Sequence, residues 1–192
     1  MFIQTETTPN PETIKFLPGQ VVAGDSGPFD FESGSDLSIS RLAQTLFDLG
    51  DVDRVFFGAD FISVTKSVDR EWKQLRPMVL AAIMDHFIAG FPIVNMDASA
   101  DDEDPAEESY EGEAAEIVAE IRELIDTRVR PAVAQDGGDI VFDRFEVDTG
   151  IVHLHMRGAC AGCPASSYTL KQGIENMLKA YVPEVTAVEA VL

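Results

Sequence analysis

Cys160 and Cys163 are the only cysteines among 192 residues, and they stand three apart in Gly158-Ala159-Cys160-Ala161-Gly162-Cys163-Pro164. A Cys-x-x-Cys pair can be a redox dithiol, part of a metal site, or a turn with two unreactive thiols. Zinc and iron–sulfur clusters take about four ligands, so one such pair fills half a site. Two copies of the chain about a two-fold axis would supply the other half. From spacing alone, a dimeric four-thiolate zinc site, an iron–sulfur cluster shared by two chains and a disulfide-exchanging pair all stay open.

The elements around the pair narrow how it is presented. Ile151–Met156 reads as a strand, and Ala165 to about Ala180 as a helix, so the thiols sit in a strand-to-helix loop. Gly158 and Gly162 allow a tight path and close approach of a bulky ligand. Pro164 suits the first helical position, which makes Cys163 the N-cap and puts the positive end of the helix dipole beside its sulfur. Arg157 stands just upstream, either adding to that field or simply facing solvent.

Other residue types of chemical interest carry less. His153 and His155 share one face of the strand, where exposure or an interface outweighs metal ligation. His86 reads as a packing residue on a helix. Asp136-Gly137-Gly138-Asp139 has too few acids for a calcium loop and no lysine for a phosphate cradle, so it is a helix exit and turn. No nucleophile elbow or acid–base constellation is present.

The net charge is −20, from 34 acids against 14 basic residues. Such a surface repels phosphate backbones and anionic lipid, arguing against nucleic acid and membrane as partners. No apolar run approaches the roughly 20 residues of a membrane span. Two cysteines make no secreted disulfide framework, so a reducing compartment is expected. The opening residues resemble a strand and not a leader, which points to a bacterial cytoplasm, or to the mitochondrial matrix for a processed form.

Composition breaks once. Residues 97–113 hold nine acids and no base, without hydrophobic periodicity. This predicts a flexible acidic linker between a domain at 1–96 and a domain at 114–192, with a mean span of roughly 20–25 Å. The expected class is α+β with two small domains. The first has strands at Phe2–Thr5 and Thr13–Phe16 around Pro9-Asn10-Pro11, and a helix capped by Ser40 and closed by Gly50. A hairpin over Val52–Phe57 and Phe61–Lys66 follows, then a helix from about Asp69 to Ala89 with a kink at Pro77. The second reads αββαβ: a helix from Ala114 to about Val133, strands at Asp139–Val147 and Ile151–Met156, the cysteine loop, a helix and a last strand near Val185–Val191.

Longer motifs resemble a known family. Phe2-Ile3-Gln4-Thr5, Thr8-Pro9-Asn10-Pro11 and Val55-Phe56-Phe57-Gly58-Ala59-Asp60-Phe61-Ile62 resemble the N-terminal domain of Nfu proteins. Ile125–Pro131 with Gln135–Asp139, the cysteine loop through Ser167, Thr169-Leu170-Lys171 and Gly173-Ile174-Glu175 resemble the NifU C-terminal domain. The resemblance covers both domains and lapses across the linker. It implies a non-enzymatic carrier of a [4Fe-4S] cluster bridged between two chains, with Cys160 and Cys163 on the ligand positions. It also implies a homodimer on cluster binding, and recipient apoproteins and upstream assembly proteins as partners. The alternative is a thiol–disulfide oxidoreductase cycling Cys160 and Cys163. Proline after the second cysteine, and not between the two, sets this chain apart from the thioredoxin pattern.

Overall fold

The computed structural model describes residues 2–95, 110–161 and 164–191, and the side chains of all of these except Asp25 and 164–168. The chain forms two compact units, each with its own hydrophobic core. The expected linker at 97–113 lies outside the described residues up to 109.

The first unit is a five-stranded antiparallel sheet backed by two helices. Its strands are β1 (Gln4–Thr7), β2 (Thr13–Leu17), β3 (Phe29–Glu32), β4 (Val52–Phe57) and β5 (Ile62–Lys66), in the order β1-β2-β5-β4-β3. Helix α1 (Arg41–Asp48) starts where the Ser40 hydroxyl accepts the Ala43 N–H at 3.2 Å. Leu42 and Leu46 face the core, and Gly50, at φ 74°, lets the chain turn away. Helix α2 (Trp72–Ala89) buries Leu75, Val79, Ile83 and His86 at helical spacing. Pro77 lies inside it, in the second turn, where it leaves the Lys73 carbonyl without its helical N–H.

Two local expectations differ from the fold. The first strand is Gln4–Thr7, displaced toward the turn, because Thr7 pairs with Ile14 once Asn10 closes the loop by accepting the Glu12 N–H at 3.0 Å. β3 was not expected. Its four residues, Phe-Asp-Phe-Glu, lie between Gly27-Pro28 and Ser33-Gly34 and form an edge strand against β4, with Arg54 paired to Asp30 and Glu32.

The second unit is the expected αββαβ. One continuous helical run opens it: α3 (Glu113–Leu124), a π-helical turn (Ile125–Val129) and α4 (Arg130–Gln135). The sequence predicts a single α-helix here, and Pro131 is the physical reason for the difference. Proline lacks the N–H that would bond the Thr127 carbonyl, and its ring crowds that carbonyl. The chain widens by one residue, with the Arg130 N–H bonding back to the Ile125 carbonyl.

Strands β6 (Gly138–Glu146) and β7 (Ile151–Gly158) are antiparallel, and β8 (Ala187–Val191) pairs parallel to β7. Helix α5 (Pro164–Tyr181) makes the crossover from β7 to β8. Ile121, Ile125, Ile140, Val152, Leu154, Leu178 and Val188 form the centre of one core between helices and sheet. The cysteine loop thus leaves the end of a central strand and enters a helix packed on the same core.

Candidate functional site

The site is built where β6 begins and β7 ends. Gly138 pairs with Gly158, and Asp139 with Arg157, at that end of the ladder. Gly137 at φ 81° and Gly158 at φ 63° take left-handed conformations that favour glycine, and each turns the chain at the edge of the site. The Ala159 N–H then donates to the Gly137 carbonyl at 3.2 Å, and the Ala161 N–H to the Gly158 carbonyl at 3.1 Å. These bonds lay the cysteine loop across the Asp136–Asp139 turn.

Cys160 is 6% exposed and packs with the core of the second unit. Its sulfur rests on Gly138 so closely that a Cβ there would stand 2.6 Å from Sγ and 2.7 Å from the Arg157 carbonyl oxygen. Burial pushes the Cys160 thiol up to about 12, with Asp136 and Asp139 adding to the rise. At neutral pH the sulfur is therefore protonated, and a metal that binds it must displace the proton. A buried, protonated thiol is also a poor attacking nucleophile for disulfide exchange.

Pro164 is the first residue of α5, as its fixed φ suits. Cys163, and with it the expected N-cap role, lies outside the described residues. Among the described residues no three His, Cys, Asp or Glu side chains converge as a metal-binding group. No helix among them is long and apolar enough to cross a membrane.

The structure corrects the histidine expectation. His153 is 6% exposed and not solvent-facing; its Nε2 lies 3.1 Å from Glu146 Oε1. The burial comes from its place on the central strand, between Arg144 and Glu189 in the ladder. His155, on the same face, lies 3.3 Å from Asp143 Oδ1. His86 is buried beside Phe87 and Phe91, and that burial lowers its pKa below 6.5.

Sequence reasoning missed two features of the site. Gly138 is the floor under Cys160, where the sequence shows only a glycine pair in a turn. Arg130 makes a two-pronged pair with Asp139, Nε to Oδ1 at 2.9 Å and Nη2 to Oδ2 at 3.0 Å. The spacing of nine residues across a helix end gives no pattern that would have flagged it.

The family model described as "Scaffold protein Nfu/NifU N terminal" matches residues 3–90, and that of the "NifU-like domain" matches residues 121–189. The chain belongs to the Nfu family. Proteins named "NFU1 iron-sulfur cluster scaffold homolog, mitochondrial" from Drosophila sechellia and Drosophila ananassae are 48% and 49% identical to it over 191 residues. Each match covers 100% of this chain, which spans 65% and 64% of those relatives' lengths. Among solved structures, that of a NifU-like protein from Saccharomyces cerevisiae is similar at 23% identity and a TM-score of 0.46, covering 49% of this chain and 84% of that one. A crystal structure from Staphylococcus aureus has 27% identity and a TM-score of 0.38, covering 43% of this chain and 99% of that one.

Proposed function

We propose that this Nfu-family chain is a non-enzymatic iron–sulfur cluster carrier. Cys160 and Cys163 from each of two chains hold one [4Fe-4S] cluster, which is cargo, and pass it to recipient apoproteins. What carries the reading is Cys160 in a strand-to-helix loop inside the segment that matches the NifU-like domain. The scaffold names of relatives across the whole chain support it. Those names also say mitochondrial, which accords with a matrix location and lends nothing to a bacterial cytoplasm.

Each part of the site has a task in this reading. The glycine turns bring two backbone segments close and leave room beside the sulfurs. The start of α5 offers N–H groups that can donate to ligand sulfurs. Because one chain offers two thiols, loading and dimerisation are linked equilibria.

Anaerobic reconstitution is expected to give a brown dimer with about four irons per pair of chains. Cys160→Ala and Cys163→Ala should each abolish iron uptake while the apo chain still folds. A chain that binds only zinc, or that carries a cluster as a monomer by sedimentation, sinks the bridged-cluster reading. Turnover of a disulfide substrate faster than a free dithiol would favour the oxidoreductase instead.

A further inference from the structure

The Gly138 floor under Cys160 is fixed from its far side by charge. Arg130 opens α4 and reaches across to Asp139, the residue after Gly138. It grips both carboxylate oxygens, and its third nitrogen, Nη1, donates to Asp126 Oδ1 at 3.2 Å. The Asp139 side chain is 8% exposed and Arg130's 38%, so the pair is buried on the carboxylate side. A planar guanidinium matches a carboxylate in this two-pronged way, which a lysine ammonium does not. The guanidinium therefore ties the end of the long helix to the first residues of β6. Those residues in turn touch Cys160 through Gly138 and through the Gly137 carbonyl that accepts the Ala159 N–H.

The same pair has an electrostatic consequence. Asp136 and Asp139 flank the Gly137-Gly138 turn on which the Cys160 sulfur rests. Of these, Asp139 is neutralised by Arg130, whereas Asp136 has no ion pair among the described residues. An anionic, thiolate-ligated cargo beside a buried unpaired carboxylate would be repelled in a medium of low dielectric.

We propose that Arg130 and Asp139 are positioning residues for Cys160: their ion pair seats the thiol on the Gly138 floor and screens one carboxylate from the cargo. The second half rests on the carrier reading; the first concerns the apo chain alone. Arg130→Gln strands a buried carboxylate, Asp139→Asn leaves the half-exposed guanidinium its Asp126 contact and solvent, and the double variant leaves no buried charge unpaired. A merely structural pair would track stability. A positioning pair tracks the thiol.

The first arm uses the apo chain with Cys163→Ser, where Cys160 is the sole thiol, and reads its alkylation by iodoacetamide relative to the same chain in denaturant. Arg130→Gln should raise the relative rate about fivefold or more, as local opening does, and adding Asp139→Asn should bring it back to within about twofold. Arg130→Lys, which keeps the charge and loses the fork, should fall between, and it carries the comparison should Arg130→Gln fail to fold. The second arm loads the full chain with a [4Fe-4S] cluster and follows iron loss to a chelator, expected about tenfold faster for Arg130→Gln and largely restored in the double variant. An unchanged Cys160 rate in folded Arg130→Gln and Arg130→Lys, whatever their melting temperatures, overturns the positioning role. Restoration of the thiol rate without restoration of cluster retention overturns the screening half. If no chain takes up a cluster, the carrier reading fails while the alkylation arm still decides the first half.

Discussion

A methyl group at position 138 has nowhere to go. It would press on Cys160 Sγ at 2.6 Å, on the Arg157 carbonyl at 2.7 Å and on the Cys160 nitrogen at 3.1 Å. Two of those three are backbone and the third is a packed side chain, so relief means moving the cysteine loop. Gly138→Ala should cost about 1–3 kcal/mol by overpacking and, by displacing the thiol, should lower iron uptake as well. Gly173→Ala is the control, since a Cβ there meets nothing within 4 Å on a helix. It should stabilise the chain by about 0.5–1 kcal/mol and leave iron uptake alone, as helix propensity predicts. Denaturant midpoints and iron content of both variants check this; equal effects would mean that Gly138 is only a turn residue. The contrast also explains what was legible here. Cys160 announces itself by type and spacing, and Gly137 by the turn it must make. The need for Gly138 is a distance between segments twenty residues apart, and no local pattern encodes it. His153 shows the same limit, because alternation gives the face of a strand and not the depth at which a central strand lies.

Hydrophobic periodicity located almost every element because the cores are simple: two helices on one sheet, then two helical runs on another. It failed where local chemistry overrode the period. Pro131 converts one turn of a helix to π geometry without disturbing Ile121, Ile125, Val129 and Val133, all still buried. β3 is too short for a period and owes its place to pairing with β4. A third case joins sequence to element most directly. The β6–β7 register shifts between Phe142 and Arg144, and just past that irregularity the Phe145 N–H donates to the Tyr110 hydroxyl at 2.8 Å. Tyr110 also packs on the core of the second unit, so a residue placed by composition in an acidic linker is docked to the edge of a sheet. Tyr110→Phe keeps the ring and strands the amide. It should cost about 1 kcal/mol and speed hydrogen exchange at Phe145. An unchanged exchange rate would show that water serves the amide equally well.

At the scale of the whole chain, the two units are separate folding problems. Each closes its own hydrophobic core, one centred on Phe16, Phe57, Leu42 and Leu75, the other on Ile121, Leu154 and Leu178. Nine of the acids that set the net charge of −20 fall in residues 97–113. The acidity of the protein is thus in good part a property of residues 97–113, and it was readable from composition. What each unit does is another matter, since a fold does not fix a function. The first unit has no cysteine, so on the proposed carrier reading it supplies no thiol to the cargo. Its proposed task is to dock recipients or assembly proteins, while the tether keeps the cargo-bearing unit at high effective concentration beside them. A fragment of residues 110–192 retains Tyr110 and the entire second core. It should therefore fold and load iron as the full chain does. Delivery to a recipient apoprotein should be slower by about tenfold or more, because the second encounter is no longer intramolecular. Following cluster transfer by the recipient's recovered activity, with fragment and full chain loaded equally, tests this. Equal rates would remove the docking role and leave the first unit as a partner in stability alone, whereas a fragment that fails to load would place part of the cargo site outside the second unit.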